Sequence, residues 1–132
     1  MCVNVAFSAQ NISELRCALG AHLQKLENQP YICSGSVDNS KFELYTGPET
    51  GLRIQIDTRC CNFSSTPTYL TSLTGFSTHW YAVGVSSAYY ASQGGFNVYL
   101  TYFDTRVTKQ AMLSMAARYN WALEWVGIEK KP

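Results

Sequence analysis

The sequence predicts an all-β fold: a six-stranded antiparallel β-sandwich with an N-terminal helix and one short inserted helix. Three observations carry that expectation. First, the chain closes on Trp121-Ala122-Leu123-Glu124-Trp125-Val126-Gly127-Ile128-Glu129, a near-strict alternation. Successive side chains of a strand point to opposite faces, so Trp121, Leu123, Trp125 and Gly127 share one side and Ala122, Glu124, Val126 and Ile128 the other. Second, from residue 31 onward short runs rich in Val, Ile, Tyr and Phe are punctuated by Gly, Ser, Thr and Asn, the pattern of antiparallel strands joined by turns. Third, the residues before 31 follow helical spacing instead.

In chain order, Asn11-Ile12-Ser13-Glu14 has the form of a helix start, a capping side chain followed three residues on by a Glu that reaches back to the cap amide. A helix over about 12–27 follows, with Ile12, Leu15, Leu19, Leu23 and Leu26 on one stripe, His22 near its centre and Pro30 ending it. Residues 1–30 thus form a helical segment that either packs on its own domain or joins protomers as a short coiled-coil stem. Two heptads are marginal for a stem by itself. Residues 31–132 form the sandwich, with strands near 41–45, 52–58, 67–74, 80–90, 95–103 and 121–129. Gly47-Pro48-Glu49-Thr50-Gly51 turns the chain between the first two, and Ser92-Gln93-Gly94-Gly95 between the fourth and fifth. Residues 108–118, rich in Ala and Met without Gly or Pro, read as the inserted helix, and Met112, Leu113 and Met115 as its packing residues.

At 132 residues the chain makes one domain, large enough to bury a core without disulfides or metals. Ten Lys and Arg against nine Asp and Glu leave a formal charge of +1, too weak a field to hold nucleic acid or an anionic membrane surface. The first residues lack the basic region and apolar run of a signal peptide, and no stretch approaches the ~20 apolar residues of a membrane span. The expectation is a soluble, cytoplasmic chain with no membrane insertion, extracellular if a leader has been removed. Without a secretory signal, the sequons at Asn11 and Asn62 read as chance matches. Five cysteines without C-x-x-C spacing, and two histidines far apart, argue against a structural zinc site. No cofactor is indicated, and calcium assistance is left open.

Catalytic motifs are absent: no G-x-S-x-G, no H-E-x-x-H, no Gly-rich phosphate loop. Arg59 beside Cys60 and Cys61 would lower a thiol pKa, but a Cys-His pair needs His79 to fold back onto them. The sequence therefore points to binding without chemistry. Ser77-Thr78-His79-Trp80 is one candidate cluster, an indole and an imidazole at the mouth of a strand, weighed against Trp80 simply burying in the sandwich.

Five pieces, in order, carry a family resemblance: Cys33-Ser34-Gly35; Ile54-Gln55-Ile56 leading to Phe63; Thr66-Pro67-Thr68-Tyr69-Leu70-Thr71-Ser72-Leu73; Gly95-Phe96; and Trp125-Val126-Gly127-Ile128-Glu129. Over 33–129 the chain resembles the H-type lectins, the family of snail agglutinins and of the C-terminal domain of discoidins. The resemblance implies a six-stranded sandwich assembled as a trimer, or a stacked hexamer, that binds galactose or N-acetylgalactosamine in clefts between protomers. The family's sugar-contacting Trp-His pair falls on Phe103 and Asp104, retaining an aromatic and replacing the His with a carboxylate. Its Gly-x-Asp turn falls on Gly47-Pro48-Glu49, and its Arg falls near Val83, so that contact is lost. The snail intrachain disulfide would pair Cys33 with the position of Leu100, so no such bridge is expected, as suits a cytosolic protein. Cys60 or Cys61 lies near a cysteine that links protomers in the family.

Sugars offer a patch of C–H bonds and a rim of hydroxyls, which an aromatic plate and an ionised carboxylate respectively satisfy. Phe103 with Asp104 supplies that pair if the strand ends or bulges there; otherwise Phe103 is core and Asp104 opens a turn. The expected function is a multivalent lectin for galactose or N-acetylgalactosamine glycans and glycoproteins, with Asp104, Phe103, Glu49, Gly47, Trp80 and His79 as its contacts. The alternative is an oligomerising protein-interaction module on the same fold that has lost sugar binding.

Overall fold

The structure, a computed structural model, describes residues 29–130, so the expected N-terminal helix lies outside the described residues. Eight strands run in the order β1 (Tyr31–Asp38), β2 (Phe42–Leu44), β3 (Leu52–Asp57), β4 (Thr68–Thr74), β5 (Ala82–Val83), β6 (Tyr89–Ser92), β7 (Gly95–Tyr102) and β8 (Ala122–Glu129), with helix α1 (Lys109–Arg118) between β7 and β8. They form two antiparallel sheets. One has the order β1-β8-β4; in the other β2, β3, β7 and β5 follow one another and β6 also pairs with β7.

β8 lies between β1 and β4, pairing Trp125 with Gly35 on one side and Thr71 on the other. Its alternation is as expected: Trp121, Leu123, Trp125, Gly127 and Glu129 are buried, and Ala122, Glu124, Val126 and Ile128 partly exposed. The facing sheet turns inward Leu52, Ile54 and Ile56 of β3 and Phe96, Val98, Leu100 and Tyr102 of β7, and both sets belong to one core. Across the gap, Tyr69 of β4 stacks on Phe96 of β7 with ring centroids 4.1 Å apart, while Trp125 meets both edge-on at 6.4 Å. Such offset-stacked and edge-to-face pairs suit the ring quadrupoles. The Tyr69 hydroxyl, inside this cluster, donates to the Ser92 carbonyl at 2.7 Å and lies 2.7 Å from the Thr58 hydroxyl, so the buried polar tip is satisfied.

Two departures from the six expected strands have local causes. β1 holds Cys33-Ser34-Gly35-Ser36, short residues without the usual β-branched signature, and at Gly35 nothing larger fits because a Cβ would sit 2.7 Å from the Trp125 ring. The expected long strand over 80–90 is broken into a 3-10 turn (His79–Tyr81), β5 and β6. Gly84, at φ +97°, and Tyr90, at φ +55°, take backbone conformations that no continuous strand accommodates.

The inserted helix forms as expected. Thr108 caps it, its hydroxyl accepting from the Ala111 amide at 3.1 Å, and Met112 and Ala116 are fully buried where α1 packs against β2 and β3. The chain leaves α1 through Asn120, at φ +53°, and enters β8 with Trp121 fully buried, its indole N–H donating to the Ser77 carbonyl at 2.9 Å. Among the described residues no helix is long and apolar enough to cross a membrane.

The expected absence of an intrachain disulfide is corrected by the structure. Cys33 points inward from β1, and Cys61 lies in the 3-10 turn after β3 (Arg59–Cys61); with Cα atoms 5.9 Å apart they form a disulfide. Leu100, the position expected to hold the partner, is buried on the opposite sheet in β7. Cys61 is held further by its carbonyl, which accepts from the Tyr31 hydroxyl at 2.7 Å. At the same end, burial pushes the Glu129 carboxyl up, but hydrogen bonds from Ser65 and Ser64 outweigh it and hold the group below its usual range.

Replacing both Cys33 and Cys61 by Ser is expected to lower stability by roughly 3–4 kcal/mol, from the loop-closure entropy of residues 28 apart. Urea unfolding of the oxidised protein, the double variant and the reduced protein checks this; equal midpoints in all three would refute it.

Candidate functional site

The outward side of β7 carries the features of interest. Phe96, Val98, Leu100 and Tyr102 face the core, so Asn97, Tyr99, Thr101 and, past the strand end, Phe103 face out. Around Tyr99 lies an open cleft of about 450 Å³, lined by Tyr45, Glu49, Val83, Tyr89, Tyr90 and Thr101 among others, within the range of small-molecule sites. Tyr45 and Tyr89 each meet the Tyr99 ring edge-on, at 5.6 and 5.1 Å.

Local sequence explains each wall. Gly84 brings the segment after β5 against the Tyr99 carbonyl, which a Cβ there would approach to 2.5 Å. The pairing of β6 with β7 shifts register between Tyr89 and Ser92, and Tyr90, left-handed within that irregularity, is 80% exposed. The loop carrying Glu49 is closed by the Tyr45 amide donating to the Gly51 carbonyl at 3.0 Å. Lys109 of α1 clamps it, donating to the carbonyls of Tyr45 at 2.7 Å and Gly47 at 3.2 Å. Gly47 therefore serves the turn through its backbone. The ion pairs among the described residues, Arg53–Glu43, Arg59–Asp57 and Arg106–Asp104, leave Glu49 outside them. Its exposed carboxylate is thus able to accept from a ligand's hydroxyls.

A second aromatic feature adjoins the cleft. Tyr81 is sandwiched between Trp80, at 4.1 Å and 29°, and Phe103, at 4.6 Å and 24°. Trp80 remains 72% and Phe103 60% exposed, so neither is a core residue. The Phe103 amide donates to the Tyr81 carbonyl at 3.1 Å, which continues the β5–β7 pairing one step beyond the strands. The loop before Trp80 is pinned by the Trp121 indole on Ser77 and by the Phe76 amide on the Tyr119 carbonyl at 2.8 Å. Two clusters separate in sequence are thereby joined through Tyr81.

The remaining candidates sit differently. Asp104 opens a turn: its Oδ1 accepts from the Arg106 amide and Nε, both at 3.0 Å, and its Oδ2 from the Arg106 guanidinium at 2.9 Å. These bonds, side chain first, hold the Asp104 carboxyl down at about 2. Both oxygens are engaged, so Asp104 reaches a ligand only by sharing acceptor sites or releasing Arg106. His79 is half-buried, and its Nδ1 is the buried side-chain polar atom without a partner among the described residues. It lies 3.2 Å from where a Cβ on Gly75 would be, turned toward the loop backbone. Val83, where the family Arg would fall, lines the cleft with an aliphatic side chain.

The disulfide withdraws Cys61 from any Cys-His chemistry. Among the described residues no three His, Cys, Asp or Glu side chains gather closely enough to hold a metal ion. Sequence reasoning missed Tyr45 and Tyr99. The alternation of Asn97, Tyr99, Thr101 and Phe103 opposite an apolar row was a signal for Tyr99, whereas Tyr45 had none. The chain matches no protein-family model, no curated protein and no solved structure.

Replacing Arg106 by Ala is expected to raise the Asp104 titration midpoint from about 2 toward 3.8. Carbon NMR of the carboxyl group across pH checks it, and a midpoint unmoved in the variant would place the cause elsewhere.

Proposed function

We propose that this protein is a carbohydrate-binding module that recognises sugars without transforming them, with the Tyr99 cleft as its site. The observation that carries the reading is the cleft itself: four tyrosines and an ion-pair-free carboxylate, Glu49, open to solvent on the outward side of β7. Tyrosine rings supply plates for sugar C–H patches at low entropic cost, and their hydroxyls with Glu49 supply acceptors and donors for the sugar's rim. The resemblance to the H-type lectins narrows the proposed ligand to glycans ending in galactose or N-acetylgalactosamine.

The proposal includes association of several copies, because single-sugar sites are weak and avidity multiplies them. Its support is the outer face of the β1-β8-β4 sheet. The register sets Ile32 beside Ile128 and Leu70 beside Val126, with Ile32 55% and Leu70 52% exposed. An exposed sheet face is ordinarily polar, as the far end of this one is at Ser36, Glu124 and Ser72. The Cys33–Cys61 disulfide supports an oxidising compartment, the extracellular alternative, over the cytoplasm. The same apolar face, with Asp104 tied to Arg106, favours the second reading, an oligomerising interaction module that has lost its sugar.

Two measurements test this. On a glycan array, the protein is expected to bind terminal galactose or N-acetylgalactosamine, and Glu49→Gln or Tyr99→Ala to weaken binding at least tenfold with the fold intact. A silent array from the folded protein would turn attention to the interaction module. Light scattering is expected to give the mass of an oligomer, and Leu70→Glu that of a monomer; a wild-type monomer would remove the multivalent part.

A further inference from the structure

We infer that the Tyr99 cleft and the Trp80–Tyr81–Phe103 stack are two subsites of one track along β7, so that the ligand is a linear oligosaccharide, its terminal unit read in the cleft and a following unit stacked on the aromatic step. The inference rests on the carbohydrate reading above and goes beyond it in naming the length and polarity of the ligand.

The geometry makes the track continuous. On β7, Tyr99, Thr101 and Phe103 lie two residues apart and face out. On the neighbouring segment Val83 pairs with Thr101, and the Tyr81 carbonyl takes the Phe103 amide. Val83 and Thr101 line the cleft, so its rim and the first ring of the stack are one strand repeat apart on both strands. From Tyr99 to Phe103 the track runs ~13 Å, four residues at the strand rise, longer than one pyranose ring.

The two ends differ in chemistry. The cleft holds Glu49 and the tyrosine hydroxyls, groups that distinguish axial from equatorial hydroxyls by hydrogen bonding. The stack offers ring faces, and the carboxylate beside it, Asp104, already has both oxygens on Arg106. Trp80 and Phe103 each rest one face on Tyr81 and leave the other exposed, so the plates are braced before a ligand arrives and lose less rotamer freedom on binding. Sugar identity is therefore set in the cleft, and affinity grows with length through the stack.

Calorimetry with galactose and with linear galactose oligomers of two to four units tests this on the wild-type chain and on Phe103→Ala, Trp80→Ala and Tyr99→Ala, each checked for its fold by near-ultraviolet circular dichroism. The wild type is expected to bind the trimer roughly tenfold more tightly than galactose. In Phe103→Ala and in Trp80→Ala that ratio falls to near one, while the preference for galactose-terminated over glucose-terminated trimers persists. Tyr99→Ala weakens every length alike. Equal wild-type affinities at all lengths, or a length gain that survives both stack variants, overturn the track and leave the single-site lectin standing. Absence of binding at every length overturns both.

Discussion

The inward row of β8 is the constraint on which the rest depends. Trp121, Leu123 and Trp125 fill the space between the sheets, and Trp125 does so only because its neighbour across the strand is Gly35. Side chains alternate with a period of two, so a slip of β8 by one residue against its neighbours would turn its inward row to solvent. With that register held, Cys33 must face inward, Ile32 and Leu70 must face outward, and Tyr69 must reach across to Phe96. Trp121 extends the same control beyond the sheet, since its indole holds the Ser77 carbonyl and with it the loop that delivers Trp80.

How much was legible in the sequence follows from how local each signal is. β3, β7 and β8 alternate within themselves, and α1 carries its own cap at Thr108, so these elements emerge within a residue or two of their expected bounds. β1 was silent because its middle is short residues, and the one of them that packing requires, Gly35, answers to a tryptophan some ninety positions away in the chain. The break within 80–90 begins at Gly84, a residue type that permits its positive φ, whereas the left-handed backbone at Tyr90, inside β6, is announced by nothing in its residue type. In the site, Trp80 and Phe103 stood out by type, but their meeting through Tyr81 exists only once β5 pairs with β7. The cleft draws its tyrosines from separate elements, and the Cys33–Cys61 pairing from two sheets; proximity of that kind has no signature in a single chain of letters.

The two surfaces of the sandwich divide the chemistry. One sheet presents tyrosines, a carboxylate and exposed stacked rings; the other presents aliphatic side chains at one end and hydroxyls and Glu124 at the other. Under the proposed function, sugar sites on one side and association through the other would place several sites outward on one particle, the arrangement that converts weak contacts into useful avidity.

The disulfide also adds a covalent tie between the two layers. It ties the first strand of one sheet to the exit of β3 on the other, at the end where Gly95 begins β7. At the opposite end, where β7 runs out at Phe103, the backbone itself passes between the sheets, from β1 to β2 over Asn39–Lys41, from β4 to β5, and from β7 through α1 to β8. At the bridge's own end one connection among the described residues crosses, from β3 to β4, so the sulfur bridge supplies there a second covalent tie. The Tyr99 cleft and the aromatic stack thus lie on a sandwich whose two layers are joined by covalent ties at both ends.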